Sequence, residues 1–444
     1  MKNYIEIKNI IEPFNKKIDI SGDKSISIRC VLLASQAIGK SKIYNLLESE
    51  DVISALKSIN KLGIKYKKYK NFYEIYGYGL NGYQTNKKVT INAGNSGTLA
   101  RLILGLLINS NNQIKLIGDK SLSSRDFSRV TDPLKLFGAH IISRNNFLPV
   151  KISGSKFLRP INYYEKLGSA QCKSSVMLAA IKTPGKTFIK AKKSRNHTEI
   201  LFKYLKIPIQ ISKKKIYDII EINGPSNFRG FEYSVPGDIS SSAFFLVLTL
   251  LSNNSKITLK NININDSRIG IIKILNKMNA KISFSNKRNY KGEMIADIIV
   301  KSRKNLKSIN CPANLNSSAI DEFLIIFLVA ARAKGVSIFR NLSELNKKES
   351  PRLELASKIL NQIGIKFIRD GDNIKIHGNP DLKLNGKYII KNFMKDHRVF
   401  MMSCIAALSF GGKWKINNID SINTSFPLFL KTLKKLGAKI IWKN

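Results

Sequence analysis

Two octapeptides in this chain carry the residue types of an anion grip. "GDKSISIR" spans residues 22–29 and "GDKSLSSR" spans 118–125. Each brings a hydroxyl, an ammonium and a guanidinium close together, the groups that bind phosphate and carboxylate oxygens. Other stretches are polar in a related way: "GNSGTLAR" (94–101), "SAQCKSS" (169–175), "PGDISSS" (236–242), "SSAIDEF" (317–323) and "DHRVF" (396–400). Together with the first octapeptide they make six polar openings, each placed just before an apolar helical segment. A helix start presents unpaired N–H groups and a partial positive charge, so six such starts are six candidate anion sites. Plain N-capping by Ser and Asp accounts well for "PGDISSS". It accounts poorly for Lys24 and Arg29, because the dipole disfavours cations there, and a bound anion would offset that cost.

The elements behind these openings form an internal repeat. The apolar segments are "RCVLLASQAIG", "LARLILGLLINS", "SSVMLAAIKTPG", "SSAFFLVLTLLSNN", "EFLIIFLVAARAKG" and "RVFMMSCIAALSFGG". They are apolar nearly all round, which predicts burial. A short strand follows each one. An amphipathic helix comes next, broken at Gly63, Gly138, Ile207–Pro208, Asn279, Gly364 or Gly437, and then another strand. Glycine or asparagine is the usual left-handed residue after a helix. The spacing of roughly 70–85 residues predicts six small α/β units. A chain of 444 residues is too long for one ordinary core, so three units per domain is the expected division. In this phase the two octapeptides are not equivalent. The first opens its unit's buried helix, whereas the second follows its unit's first strand, which predicts surface positions for Lys120 and Ser121.

Composition narrows the class. Hydrophobic residues make up 43% of the chain, as in a folded globular protein. No apolar run is long enough to span a bilayer and no signal segment opens the chain, so no membrane partner is expected. Cys30, Cys172, Cys311 and Cys404 form no paired motif, which argues against a zinc site or disulfides and fits a reducing cytoplasm. The net charge of +45 would suit a nucleic-acid binder. The lysines are spread evenly, however, alongside abundant Ile and Asn, so the charge reads as coding bias and nucleic acid is not an expected partner.

The ordered set "GDKSISIR", "GNSGTLAR", "SAQCKSSVMLAA", "SRNHTE" (194–199), "VPGDISSSAFFL", "IDEF", "KKES" with Arg352, and "KDHRV" (395–399) resembles the 5-enolpyruvylshikimate-3-phosphate synthase family over nearly the whole chain. The resemblance implies a two-domain inside-out α/β barrel fold, with six βαβαββ-type repeats, three per domain, around an interdomain cleft. It implies a discontinuous domain I (1–21 and 236–444) and a domain II (22–235), with crossovers near 14–22 and 235–240. The implied reaction moves the enolpyruvyl group of phosphoenolpyruvate to the 5-hydroxyl of shikimate 3-phosphate, releasing phosphate through a tetrahedral intermediate. Carried over residue by residue, the shikimate 3-phosphate contacts fall on Lys24, Ser25, Arg29, Ser169, Ala170, Gln171, Arg195, Asp321 and Lys348. The phosphoenolpyruvate contacts fall on Lys24, Gly97, Arg125, Gln171, Glu349, Arg352 and Arg398. Asp321 is the expected base, with Lys24, Lys348 and Glu349 for proton transfer at the methylene carbon. A cytoplasmic monomer with no metal and no organic cofactor is implied. His197 and His397 are expected to be structural or orienting, and the cysteines to be packing residues.

Three departures from the family pattern stand out. Asn346 and Pro351 replace an Arg and an Asp that flank the Lys-Glu pair, and Thr424-Ser425 precedes "FP" where a lysine is common. Ser350 is expected to cap the next helix with Pro351 as its first residue. Two other readings are a UDP-N-acetylglucosamine enolpyruvyl transferase, which would carry a mobile-loop cysteine, and a non-catalytic anion- or RNA-binding relative.

Overall fold

A computed structural model describes residues 3–84 and 88–443. The chain divides into two compact units. Unit 1 is Met1–Ser21, Pro236–Asn289 and Met294–Asn444, and unit 2 is Gly22–Val235 with Tyr290–Glu293. Each has its own apolar core.

In unit 2 the core is built on three helices, Lys24–Gln36, Gly97–Leu106 and Ala170–Ala180. Gly97–Leu106 packs on Ala170–Ala180, and Gly105 makes the close approach possible: a Cβ there would lie 2.1 Å from the Ser175 carbonyl oxygen. Three four-stranded sheets surround these helices, and all three have the same order: a parallel pair, then two antiparallel neighbours. One runs Val89–Asn92, Ile114–Ile117, Phe147–Ser153, His140–Arg144. The next runs Asn162–Glu165, Gly185–Lys192, Tyr217–Gly224, Ile209–Lys213. The last runs Glu232–Ser234, Ile38–Tyr44, Phe72–Tyr78, Lys65–Lys68, so the end of the Gly22–Val235 segment pairs back onto its beginning. Along Gly185–Lys192, Thr187, Ile189 and Ala191 are buried while their neighbours are exposed, the alternation of a sheet with one dry face.

Unit 1 has the corresponding helices Ile239–Leu251, Phe323–Arg332 and His397–Phe410, which pack on one another. Every residue of Ile239–Leu251 is buried, as its all-round apolarity requires. Two sheets have four strands, and in one of them Tyr4–Ile7 lies between Gly411–Asn417 and Ile440–Lys443. The third has three strands, Val336–Phe339, Asn373–His377 and Phe367–Asp370, flanked by parallel bridges from Lys307 and Asn310.

The breaks after the outer helices take left-handed backbone at Gly63, Gly138, Asn279, Gly364 and Gly437. The sequence reading placed the third break at Ile207–Pro208. The left-handed residue is instead the exposed Lys206, with φ 58°, directly after the His197–Tyr204 helix and its C-cap Leu205. No glycine or asparagine was there to mark it.

Candidate functional site

In unit 2 the first octapeptide turns directly into a helix. The Asp23 carboxylate accepts from the Ile26 amide at 2.9 Å, and Lys24 is the first helical residue. Lys24 Nζ sits 2.9 Å from Asp51 Oδ2, so a carboxylate already offsets the charge that the helix dipole disfavours. One turn on, Arg29 is nearly buried. Its guanidinium donates to Thr198 Oγ1 (2.8 Å), Ser174 Oγ (3.1 Å) and the Ser25 carbonyl (2.9 Å). Arg195 is half-buried in the turn leading to the His197–Tyr204 helix.

The "GNSGTLAR" motif carries Arg101, and Arg125 of the second octapeptide lies beside it. Ser96 caps the Gly97–Leu106 helix, and Arg101 Nη1 donates to Gln171 Oε1 at 3.0 Å. Gln171 in turn donates to Thr98 Oγ1 at 2.9 Å. Arg125 Nη2 lies 3.3 Å from Ser121 Oγ and 3.5 Å from Asn95 Oδ1. A Cβ on Gly97 would stand 2.8 Å from Arg101 Nη1 and 3.1 Å from Arg125 Nη1, so any side chain there displaces both guanidinium groups. Ser121 therefore does more than occupy the surface, since its hydroxyl helps to hold Arg125.

Ser169 caps the Ala170–Ala180 helix, which carries Gln171. A buried carboxylate fixes the turn before it. Glu165 accepts the amides of Leu167, Gly168 and Ser169 at 3.3, 2.5 and 2.9 Å, and pairs with Arg129 at 2.9 Å.

In unit 1 the site is built around Arg352, which is 1% exposed. Its guanidinium meets three carboxylates: Asp396 Oδ2 at 2.9 Å, Glu349 Oε2 at 2.5 Å and Asp321 Oδ1 at 3.4 Å. Burial by itself would lower the Arg352 pKa, but the surrounding carboxylates outweigh it and hold the pKa above its ordinary value. Asp396 is buried as well, which opposes its ionisation. Arg352 and His397 overcome that and hold it below the usual carboxylate range. Asp396 also accepts from Ser350 Oγ (2.7 Å) and caps the His397–Phe410 helix through the Arg398 amide (2.8 Å). Lys348 Nζ lies 3.5 Å from Asp321 Oδ1. Arg398 Nη1 donates to the Asp321 carbonyl at 2.6 Å and lies 3.8 Å from Glu322 Oε1. Behind these, Ser240 donates to Glu322 and accepts from Arg268 at 2.8 Å. Among the described residues no group of three or more His, Cys, Asp or Glu is arranged to hold a metal ion.

Residues 8–433 match the family model described as EPSP synthase (3-phosphoshikimate 1-carboxyvinyltransferase). The chain belongs to the EPSP synthase family. It is 40% identical over 438 residues to the 3-phosphoshikimate 1-carboxyvinyltransferase of Ruthia magnifica subsp. Calyptogena magnifica, covering 98% of both chains. It is 37% identical to the enzyme of that name from Streptococcus mutans, over 94% of this chain and 96% of that one. Among solved structures it resembles the EPSP synthase of Acinetobacter baumannii, with a TM-score of 0.88, 31% identity and full coverage of both chains. The enolpyruvyl transferase NikO from Streptomyces tendae shares the fold at a TM-score of 0.79 and 14% identity, over 100% of this chain and 99% of that one.

Two departures from the EPSP synthase pattern now have a local explanation. Pro351 is the N-cap, not the first helical residue, of the Arg352–Gln362 helix, and Ser350 does not cap it because its hydroxyl is committed to Asp396. Thr424 Oγ1 lies 3.3 Å from His397 Nδ1 and orients that ring. His197 is fully buried, with Nδ1 2.5 Å from Glu293 Oε1. Sequence reasoning missed Glu165, Glu293, Glu322 and Arg268. Glu165, Glu293 and Arg268 are ordinary charged residues outside the motifs, and Glu322 stands next to Asp321 inside "SSAIDEF" with nothing in the spacing to single it out; only burial marks the four.

Proposed function

We propose that the chain moves the enolpyruvyl group of phosphoenolpyruvate onto the 5-hydroxyl of shikimate 3-phosphate and releases phosphate. The family membership supports this, and one observation carries it furthest: Asp321 stands beside Lys348 and Arg352, a carboxylate base among cations suited to anionic substrates. In unit 2, Lys24, Ser25, Arg29, Ser169, Ala170, Gln171 and Arg195 contact shikimate 3-phosphate, and Lys24, Gly97, Arg125 and Gln171 contact phosphoenolpyruvate. In unit 1, Asp321 and Lys348 contact shikimate 3-phosphate, and Glu349, Arg352 and Arg398 contact phosphoenolpyruvate.

In this scheme Asp321 takes the 5-hydroxyl proton as that oxygen attacks the substituted vinyl carbon. Lys24, Lys348 or Glu349 delivers a proton to the methylene carbon, giving a tetrahedral intermediate. A proton then leaves the same carbon as phosphate departs, which restores the double bond. The arginines stabilise charge on the intermediate, an electrostatic contribution of the kind that dominates many enzymes. The fold reading goes with this one: each unit is an inside-out α/β barrel of three βαβαββ repeats, supported by the sheet order that recurs in unit 2. The enzyme acts as a cytoplasmic monomer without metal or organic cofactor.

The decisive assay is phosphate release from phosphoenolpyruvate that depends on shikimate 3-phosphate. Asp321→Ala should lower kcat by about 10²–10⁴-fold and leave both KM values within about tenfold. Near-normal turnover in that variant would sink the assignment.

A further inference from the structure

The segment leading into the Arg352–Gln362 helix holds Lys348 and Glu349, and its helix start differs from those of five helices that open on polar motifs. Asp23, Ser96, Ser169, Asp238 and Asp396 each cap a helix with their own side chain. Pro351, the N-cap here, has no side-chain oxygen to offer. The acceptor comes from upstream instead: Asn346 Oδ1 takes the Leu353 amide at 3.0 Å, seven residues along the chain. That amide is one of the N–H groups that a helix start leaves without an intrahelical partner. The Asn346 backbone amide donates to the Ser343 carbonyl at 3.2 Å, which ties the asparagine to the Ser343–Leu345 turn. One hydrogen bond thus closes the chain between 346 and 353 into a ring that contains Lys348, Glu349 and Arg352. The far side of the ring is pinned by Ser350 on Asp396 and by Arg352 on Glu349.

We propose that Asn346 is a positioning residue for catalysis. By capping the helix remotely it sets where Lys348 and Glu349 stand relative to Arg352. The inference rests on the roles given above to Lys348 and Glu349. A helix cap with no catalytic consequence would stabilise the fold and leave the kinetics of the folded protein unchanged. A positioning residue changes the kinetics of protein that remains folded.

The test uses the full chain. Asn346→Ala should lower kcat/KM for phosphoenolpyruvate by about tenfold or more, with the melting temperature within a few degrees of wild type. Asn346→Asp keeps the acceptor oxygen and should recover activity to within about threefold of wild type. In a Glu349→Gln background, Asn346→Ala should cost less than about threefold more, because coupled residues are not additive. Trypsin supplies a readout independent of activity: Asn346→Ala should speed cleavage after the exposed Lys347. Unchanged cleavage, wild-type kinetics with only a lowered melting temperature, or an Asp variant as impaired as the Ala variant would each overturn the proposal. A wild-type chain that releases no phosphate, yet shows the cleavage difference, would overturn the enzymatic reading and leave the ring closure standing.

Discussion

The two units hold their cations in different ways. In unit 1, Arg352 is enclosed by Asp396, Glu349 and Asp321, Lys348 faces Asp321, and Arg398 lies near Glu322. In unit 2, Arg29, Arg101 and Arg125 are held by hydroxyls, amides and carbonyls. Other cations of that unit do meet carboxylates: Lys24 pairs with Asp51, and Arg129 with Glu165. A guanidinium among carboxylates is fixed firmly, and removing a partner leaves buried charge uncompensated. A guanidinium held by neutral oxygens is oriented at lower electrostatic cost and keeps more of its positive potential for an incoming anion. Unit 1 therefore couples its site to stability, and unit 2 couples its site to ligand affinity.

The sharpest break of that contrast is Asp396→Ala. It strips a carboxylate from buried Arg352 and removes a helix cap, and should cost about 3–5 kcal/mol in urea unfolding. The pH dependence follows from the same carboxylate. The folded pKa of Asp396 lies below its unfolded value, so the stability it contributes is present above about pH 4 and is lost as pH falls through the folded value. Acid should therefore narrow the gap between wild type and Asp396→Ala. If the gap is constant from pH 7 to pH 3, the ion-pair account is wrong.

Arg125→Gln should do the opposite in unit 2: a rise of about tenfold in the phosphoenolpyruvate KM, with unfolding free energy within about 0.5 kcal/mol of wild type. A stability loss as large as that of Asp396→Ala would erase the distinction between the units. Gly97→Ala is a milder version, because its new methyl group meets the ends of two flexible arginines and not backbone. A severalfold rise in the same KM, with less effect on kcat, is the expected result.

The smallest effect concerns a lysine outside both sites. Lys182 is buried, and burial pushes its pKa down to about 7; its ammonium donates to the Leu80 carbonyl and to Asn109 Oδ1. Because its unfolded pKa is about 10.4, the unfolded chain binds more protons between those values and native stability rises with pH. Relative to Lys182→Met, wild type should gain about 1 kcal/mol between pH 7.5 and 8.5, measured by urea unfolding. A flat difference would mean that the lysine stays charged throughout.

What could be read from the sequence was local. Asp23, Ser96, Ser169, Asp238 and Asp396 announce helix starts because a cap and its amide lie two or three residues apart. The glycine after an outer helix is equally local. The two octapeptides show both the reach and the limit of that reading. Asp23 and Asp119 each cap a helix start in the same way, yet one helix has thirteen residues and the other four. The apolar run after "GDKSISIR" decides that difference, and the octapeptides themselves do not. Contacts such as Arg352 to Asp396, 44 residues apart, or His197 to Glu293, 96 apart, depend on how whole elements pack, and no spacing rule reaches them. Asn346 was visible only as a missing arginine, because its partner amide lies beyond a proline.

Glu293 has a further consequence, for synthesis. It belongs to unit 2, but it is encoded well after Val235, where the long segment of that unit ends. During translation Gly22–Val235 can leave the ribosome and collapse while the carboxylate that pairs with buried His197 does not yet exist. The nascent unit must keep that imidazole hydrated, or bury it without its partner, until Glu293 arrives. The stretch of chain that is finished first is therefore not the part that can be sealed first.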